Sequence, residues 1–428
     1  MNEADALRAA SLLERSGFRP VDRADEASLL LLNTCVVRQQ AEDKIYSRLS
    51  FVADLKRREP TLTVVLMGCL VGKNNREWTN LKAKFPFVDL FLPPSDISPL
   101  QDHLRHFRTF NRQELPVEDM PPPPLPDSQS GRAVVAHLPV VLGCSHACTY
   151  CVIPYRRGGE RSRPSAEIMA EAAELVRRGA KELVLLGQIV DRYGMDRSGE
   201  IRLPELLGRV AAIPGICRVR FLTSHPRWIS SELVDVVAST PKLCPYFEIP
   251  VQAGSDSVLA AMRRGYTASE YESLVASIRA TIPQAGISTD VIVGFPGETD
   301  RQFEESMALM RRVDPDMIRI AKYSPRPLTF SARRLQDDVS EEEKERRRVA
   351  MERQLRDRLT EKNAHLRGKT VEILVERIEK NGRRYGRTAD YKPVFVDGSK
   401  AEPGTLMQAR IAWAGPFSLI AENPPIPR

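Results

Sequence analysis

Long apolar runs are missing from this chain. No stretch approaches the roughly eighteen residues that a membrane helix requires, which excludes a helical membrane protein. The first residues, Met1 to Glu14, carry acids in an amphipathic pattern where a secretory leader would have a basic start and an apolar stretch. Cysteine is scarce, seven in 428 residues, an odd number that argues against a secreted disulfide framework. Three of the seven nevertheless crowd into the short segment Cys144 to Cys151. In a reducing compartment such clustering points to metal or catalysis. A strong charge bias is also lacking: a net charge of +7 permits a polyanionic partner without demanding one. These exclusions leave a cytoplasmic protein.

The length favours two or three domains. Residues 1–112 alternate helices with short apolar strands. Ala6 to Ser16 reads as a helix closed by Gly17, while Ser28–Leu32 and Thr63–Met67 read as buried parallel strands of an open α/β sheet. Residues 113–132, with four consecutive prolines and a Ser/Asp/Gly tail, read as a linker. Residues 133–365 predict serial β-α units, with strands at Val135–Leu142, Glu182–Leu186, Val219–Leu222, Tyr246–Val251, Ser288–Val293 and Met317–Lys322. That pattern favours a barrel or part of one. A charged helix from Ser340 to about His365 ends this region, with Ser340 and Glu343 as a capping box and Gly368 as the stop. Residues 366–428 change to short alternating segments, Val371–Val375, Gly386–Thr388, Val394–Val396 and Leu406–Trp413, the pattern of a small β-barrel or sandwich. The fold class is α/β with a small all-β module at its end.

Gly143-Cys144-Ser-His-Ala-Cys148-Thr-Tyr-Cys151 has the spacing C-x3-C-x2-C directly after an apolar strand. Three thiolates this close can cap three corners of a cubane iron–sulfur cluster and leave the fourth iron without a protein ligand. An open coordination position marks a reactive metal site, where a small chelating molecule can bind through its amine and carboxylate. The alternative is zinc. As a structural ion it wants a fourth ligand, and the extra candidate nearby, His146, lies inside the loop.

The loop and its flanks resemble the radical S-adenosylmethionine (SAM) superfamily. Cys151-Val-Ile-Pro-Tyr-Arg-Arg157-Gly158-Gly-Glu160-Arg-Ser162-Arg163 is similar to the methylthiotransferase signature C-x-x-P-x-x-R-G-x-E-x-S-R. Further similar motifs follow in order: Gly187-Gln188 to Tyr193-Gly194, Ser224-His225-Pro226, Pro250-Val-Gln252-Ala-Gly254 and Arg264-Gly-Tyr-Thr. Asp290-Val-Ile-Val-Gly294-Phe-Pro-Gly297-Glu298-Thr and Tyr323-Ser-Pro-Arg-Pro complete the series. The resemblance covers essentially the whole chain and looks most like the MiaB type of the methylthiotransferase family. It departs from that pattern at Ile189, where Asn is expected, and at Leu328 and Phe330, where Gly and Pro are.

The resemblance implies an N-terminal flavodoxin-like domain, a partial (β/α) radical SAM barrel and a C-terminal TRAM β-barrel that binds RNA. It implies SAM and two 4Fe–4S clusters as cofactors. Cys144, Cys148 and Cys151 would hold the first cluster, with Arg157 and Glu160 beside the reacting groups and Gly187, Gln188, Ser224, Gln252, Asp290 and Gly294 around bound SAM. Cys35 and Cys69 would hold an auxiliary cluster; on composition alone they are ordinary small buried residues. Family members have a third ligand in an earlier Gly-Cys-Gln-Met-Asn segment, whose last two residues align with Met1-Asn2, so an upstream strand and cysteine are expected. Cys217 and Cys244 read as buried structural thiols.

In the implied reaction one SAM donates a methyl group toward sulfur on the auxiliary cluster. A second SAM is cleaved by one electron to a 5′-deoxyadenosyl radical, which takes hydrogen from C2 of N6-isopentenyladenosine beside the tRNA anticodon. The methylthio group is delivered to that carbon. Lys380, Arg383, Arg384, Tyr385, Arg387 and Lys392 are expected to hold RNA phosphate and base. A small reducing protein such as flavodoxin or ferredoxin would supply electrons, and the protein would act as a monomer away from membranes. Two rival readings stay open: the same chemistry on threonylcarbamoyladenosine, and an iron–sulfur RNA-binding or electron-transfer protein without turnover. The N-terminal peptide of natively expressed protein is expected to contain an upstream Gly-Cys-Gln; a native start at Met1 with full activity overturns that expectation.

Overall fold

The structure, a computed structural model, describes residues 1–36, 39–73, 75–111, 124–129, 131 and 133–422. In its N-terminal part β1 (Leu29–Thr34), β2 (Thr63–Gly68) and β3 (Leu90–Leu92) form a parallel sheet in the order β1-β2-β3. Successive side chains of a strand face opposite ways. Val64 and Leu66 therefore enter one core with Leu49 and Phe91, whereas Val65 and Met67 enter another with Ala9, Leu92 and Leu100. Helices Gln39–Arg58 and Asn75–Lys84 cover the first face, Asn2–Arg15 and Ser98–Asn111 the second. An all-parallel sheet covered this way reads as near-continuous apolar runs, as β1 and β2 do.

The middle part runs through β4 (Val135–Pro139), β5 (Val141–Leu142), β6 (Arg161–Ser162), β7 (Glu182–Leu186), β8 (Arg218–Leu222), β9 (Tyr246–Glu248), β10 (Gly286–Val293) and β11 (Met317–Lys322). β4, β7 and β8 make one parallel sheet and β9, β10 and β11 another, joined where Val219 bridges Leu243. No ladder joins β4 to β11 among the described residues, so these strands form an open, partial barrel. Helices such as Ser165–Arg177 and Asp300–Val313 make the crossovers that parallel neighbours need. The single strand expected over Val135–Leu142 is split in two. Pro139 has no N–H for the ladder, and beyond it β5 turns to pair antiparallel with β6.

Most of the proline-rich stretch 113–132 lies outside the described residues, but its end is not free chain. Leu125 is buried in the barrel core, and its carbonyl accepts from Arg178 Nη1 at 3.1 Å. The long helix Glu341–Ala364 seats Met351, Leu355 and Leu359 on the same core. Only half of the expected capping box forms. Ser340 Oγ accepts from the Glu343 N–H at 3.1 Å, but the Glu343 carboxylate is drawn to Arg346 and Arg347, since charge-assisted pairs outcompete a neutral N–H. Among the described residues no helix is long and apolar enough to cross a membrane.

β12 (Thr370–Ile378), β13 (Arg384–Thr388), β14 (Pro393–Asp397), β15 (Leu406–Ala414) and β16 (Leu419–Glu422) close a small barrel in the order β12-β13-β14-β16-β15. β16 lies parallel to β14 and antiparallel to β15, which completes the closure and removes the free edges. Its turn Thr388–Lys392 plugs the N-terminal ends of the larger barrel's strands. Arg220, wholly buried, donates to Glu182 at 2.8 Å and to the carbonyls of Ala389 and Thr388 at 2.6 and 2.8 Å. Tyr391 stacks on Tyr246 with ring centroids 4.5 Å apart. Arg220→Met leaves the buried Glu182 with only the more distant Arg387, at 3.9 Å; urea unfolding is expected to register a loss of about 3 kcal/mol, part of it recovered by adding Glu182→Leu. Simple additivity of the two changes would exclude the pairing as the cause.

Candidate active site

β5 and β6 tie together the two ends of one loop, and that loop carries the three clustered cysteines. Val141 lies opposite Ser162 and Leu142 opposite Arg161. Gly143 follows at φ +69°, and a Cβ there would fall 2.1 Å from the Gly159 carbonyl oxygen, so only glycine lets the two arms close. Cys144 then donates its N–H to the Gly158 carbonyl at 3.0 Å. Each cysteine sulfur receives one N–H: the His146 amide on Cys144 at 3.4 Å, Arg264 Nη1 on Cys148 at 3.4 Å, and the Ile153 amide on Cys151. Burial pushes the Cys144 thiol up to about 11 and the Cys151 thiol up to about 12, with those amides pulling the other way. Without metal these two thiols are neutral, and loading iron must release protons.

Among the described residues no three His, Cys, Asp or Glu side chains gather around a single ion position. The zinc alternative would need His146, whose Nε2 is instead taken by Trp228 Nε1 at 3.1 Å. A cubane spreads its thiol ligands over separate irons, so three sulfurs of one loop need not converge on a point. The donor set suits a cluster with an open corner.

A second observation points to a ligand here. His225, just beyond β8, is buried, and its Nδ1 accepts from the Arg227 N–H at 3.2 Å, which puts its proton on Nε2. That Nε2 has no partner among the described residues. Burial, helped by Arg264, His146, Arg227 and Arg192, pushes the imidazole down to about 2, so it stays a neutral one-proton donor. A buried orphan donor of this kind calls for an acceptor from outside the chain. Ser224 Oγ donates to Asp191 Oδ1 at 2.7 Å and the His225 N–H to Asp191 Oδ2 at 2.6 Å. Burial raises the Asp191 carboxyl to about 7. The Glu160 carboxylate holds Arg192 Nε at 2.8 Å, and that guanidinium lies 4.5 Å over Trp228.

The other residues expected around bound SAM are held in place by contacts within the chain. Gly187 and Gly294 are not open seats, because a Cβ at Gly187 would meet Val190 Cα at 2.9 Å and one at Gly294 would meet Lys344 Cγ at 2.3 Å. Protein packing explains both glycines. Gln188 is half-buried just beyond β7. Gln252 holds φ +78°, fixed by its N–H on the Asp290 carbonyl at 2.8 Å and by the Ile292 N–H on its own carbonyl at 2.9 Å. The Asp290 carboxylate lies 3.5 Å from Arg319, which also pairs with Glu248 at 2.9 Å. Arg319, Glu248, Asp191 and Trp228 escaped the sequence reading. Charges inside otherwise apolar strands were the available signal for the first two.

Arg157 faces the domain junction. Ending the short helix Ile153–Arg157, it reaches Ser95 Oγ at 3.1 Å, Asp5 at 3.5 Å, Asn2 Oδ1 and the Cys69 thiol. Cys35 and Cys69 follow β1 and β2 side by side. The Cys69 N–H donates to the Thr34 carbonyl at 3.0 Å, while Thr34 Oγ1 donates to the Met67 carbonyl at 2.6 Å and accepts from the Leu70 N–H at 3.1 Å. Burial pushes the Cys69 thiol up, with Arg157 opposing it.

Of the expected RNA residues, Lys380, Arg383, Arg384 and Tyr385 share the β12–β13 hairpin. Arg383 pairs with Asp397 at 2.7 Å, and Arg377 covers one face of Tyr385 at 3.6 Å. Arg387 and Lys392 do not join them. Arg387 pairs with Glu376 at 2.5 Å and Lys392 with Asp316 at 3.0 Å, because the turn between them faces the large barrel. Trp413 and Phe417 are exposed aromatics that the sequence reading missed. Ile411 and Trp413 would share a face in a regular strand. The bulge between them puts Ile411 in the core and leaves Trp413 outside.

Comparison with known proteins matches this layout. Residues 138–310 match the radical SAM superfamily, 365–422 the TRAM domain and 1–93 an uncharacterised protein family, UPF0004. The fold is shared with a radical S-adenosylmethionine methyltransferase, TsrM, from Kitasatospora setae, at TM-score 0.57 and 14% identity over 76% of this chain and 73% of that one. Fold and cysteine loop together define a radical SAM enzyme. Curated relatives named tRNA-2-methylthio-N(6)-dimethylallyladenosine synthase narrow the class. One from Dehalococcoides mccartyi is 42% identical over 99% of this chain and 96% of its own length. One from Chloroflexus aurantiacus is 42% identical over 98% and 88%, and one from Clostridium botulinum 35% identical over 99% and 94%. The chain belongs to the tRNA-2-methylthio-N(6)-dimethylallyladenosine synthase family.

The raised Asp191 carboxyl makes a pH prediction with a definite sign. Between about pH 4 and pH 7 the unfolded chain ionises this group while the folded one does not, so stability falls as pH rises and levels off above 7. Relative to wild type, Asp191→Asn is expected to gain stability across that window and no further above it. Urea midpoints at pH 4.5, 6 and 8 check this; a pH-independent difference excludes it.

Proposed function

We propose that this chain is a transferase that places a methylthio group on C2 of N6-isopentenyladenosine, the base beside the tRNA anticodon, by radical SAM chemistry. The observation that carries the reading is the pinched loop of Cys144, Cys148 and Cys151 beyond the C-terminal end of a β4-β5 strand path, beside the unpartnered donor of His225. Active sites of β/α barrels collect at that end. A 4Fe–4S cluster held by these three thiols would supply the electron that cleaves SAM reductively. Cys35 and Cys69 are the proposed thiols for an auxiliary cluster, with Arg157 beside Cys69.

The chain's own part is to position, orient and exclude. The buried Cys144, His225 and Arg264 keep water from the centre. His225 offers its Nε2–H to an acceptor on a bound ligand, in a tautomer fixed by Arg227. Ser224 and Glu160 act one step back, the first through Asp191 and the second through Arg192. Gln188, Gln252 and Asp290, with Arg319 and Glu248, are assigned to SAM and the base. Residues 1–112, 133–365 and 366–428, with the connecting 113–132, are the proposed division of labour. Lys380, Arg383, Arg384 and Tyr385 would hold tRNA phosphates and bases, with Trp413 and Phe417 as stacking surfaces. The target base leaves the loop at modest cost because loop bases are already partly unstacked. A small reducing protein such as flavodoxin or ferredoxin would deliver electrons in the cytoplasm to a monomer.

Nucleosides from a deletion strain test the reading by mass spectrometry. Loss of methylthio-isopentenyladenosine is expected; loss of the threonylcarbamoyl product would move the substrate to that base, and an unchanged profile would remove the catalytic reading. Alanine at Cys144, Cys148 or Cys151 is expected to abolish turnover in reconstituted protein.

A further inference from the structure

We infer that Arg264 sets how readily the centre on Cys144, Cys148 and Cys151 accepts its electron. The inference rests on the cluster reading above. Two of the three N–H groups aimed at the cysteine sulfurs are backbone amides, which carry no net charge. The third is a guanidinium, with Arg264 Nη1 3.4 Å from Cys148 Sγ.

Its placement is built into the fold. Arg263 at φ +57° and Gly265 at φ +73° bend the chain on either side, so that Arg263 goes outward over Phe330 while Arg264 goes inward and is buried. Once inside, the guanidinium is fixed on its other edges. Nε donates to Tyr266 Oη at 2.9 Å and Nη2 to the Pro250 carbonyl at 2.9 Å. Tyr266 is anchored in turn by donating to the Val251 carbonyl at 2.8 Å. No carboxylate forms an ion pair with Arg264 among the described residues; the groups that act on its charge are Tyr150, Tyr266 and Cys148.

A buried cation without a counter-ion is costly unless something anionic arrives. A cluster ligated by thiolates brings that negative charge to the spot where Nη1 already points. Reduction then adds one more negative charge beside a fixed positive one. Both the Coulomb term and the N–H···S hydrogen bond favour the reduced form, so the potential is raised relative to the same centre without Arg264. Arg264 is thus a positioning residue that acts through Cys148 and touches no reacting carbon.

Full-length wild type, Arg264→Gln and Arg264→Lys are reconstituted anaerobically and compared without SAM. Iron and sulfide content, electron paramagnetic resonance of the reduced state and dye-mediated redox titration are read. The expected result is full cluster content in all three, with the midpoint displaced to more negative values in Arg264→Gln and to a lesser degree in Arg264→Lys. Equal midpoints in fully loaded proteins overturn the inference. Loss of iron from both variants with secondary structure intact also overturns it, because Arg264 then retains the cluster instead of tuning it. A wild-type protein that forms no cluster removes the reading of the loop, and the assignment of Arg264 with it.

Discussion

The closure of one loop by glycine against glycine governs the site. The arms that flank Cys144–Cys151 meet where Gly143 lies against Gly158 and Gly159, closer than any side chain permits. That contact lets β5 and β6 pair and sets the Cys144 N–H on the Gly158 carbonyl. It also brings the ends of the signature segment together, so that Cys144 and Glu160, distant in sequence, lie on one small surface with Arg192 and Trp228. If the arms were splayed, the three N–H donors on the sulfurs would lose their common frame. The helix Ile153–Arg157 would no longer carry Arg157 to Cys69. A local backbone requirement thus links the two cysteine sets across a domain boundary.

The two ends of the partial barrel carry opposite kinds of polar chemistry. At the N-terminal end Arg220, Arg218, Arg387 and Tyr391 find charges, carbonyls and ring faces within the chain, and Glu182 gives one carboxylate oxygen to Arg220 while the other has no hydrogen-bond partner among the described residues. This is recognition of one domain by another, and it holds the small barrel in a defined seat. On the cysteine side the groups are left short of partners: the His225 Nε2–H is unpaired and Arg264 has no carboxylate. An arginine paired with an acid of the chain stabilises the fold, whereas a buried one without such an acid is free to meet an anionic ligand. The same residue type, arginine, serves both purposes, and what distinguishes them is whether an acid of the chain lies beside it.

The parallel strands and their helices were legible because their apolar runs have the right length and flanking turns. Glu182–Leu186 and Met317–Lys322 have the expected bounds. The cysteine loop stood out because three of the seven cysteines fall within eight residues directly after an apolar strand. What escaped has a common cause. Arg387 and Lys392 look like surface charges in a one-dimensional pattern, and only the docking of two domains buries them. Gly187 and Gly294 need to be glycine because Val190 and Lys344 fill the space a Cβ would take, which no local pattern records. Trp413 was hidden by a bulge, which shifts the face of a strand without leaving a periodic trace. Long-range packing decides each of these, and sequence neighbours carry no record of it.

The positions where the chain departs from the family pattern bear on whether the site keeps its shape. Leu328, standing where glycine is usual, holds φ +77°, a conformation that costs a branched side chain about 1–2 kcal/mol. Contacts on both sides enforce it. Arg326 pairs with Glu42 of the N-terminal domain at 3.0 Å, and the Ser331 N–H reaches the Thr149 carbonyl inside the cysteine loop at 2.9 Å. The backbone thus holds a left-handed turn with a leucine at its centre, fixed by the contacts on either side. Ile189, in place of a polar residue, packs with Cys144 and Ile153. An apolar neighbour lowers the local dielectric and strengthens each N–H···S contact around it. Both residues thus bear on the cysteine loop, the first through the turn that ends at the Ser331–Thr149 contact and the second by apolar packing against Cys144.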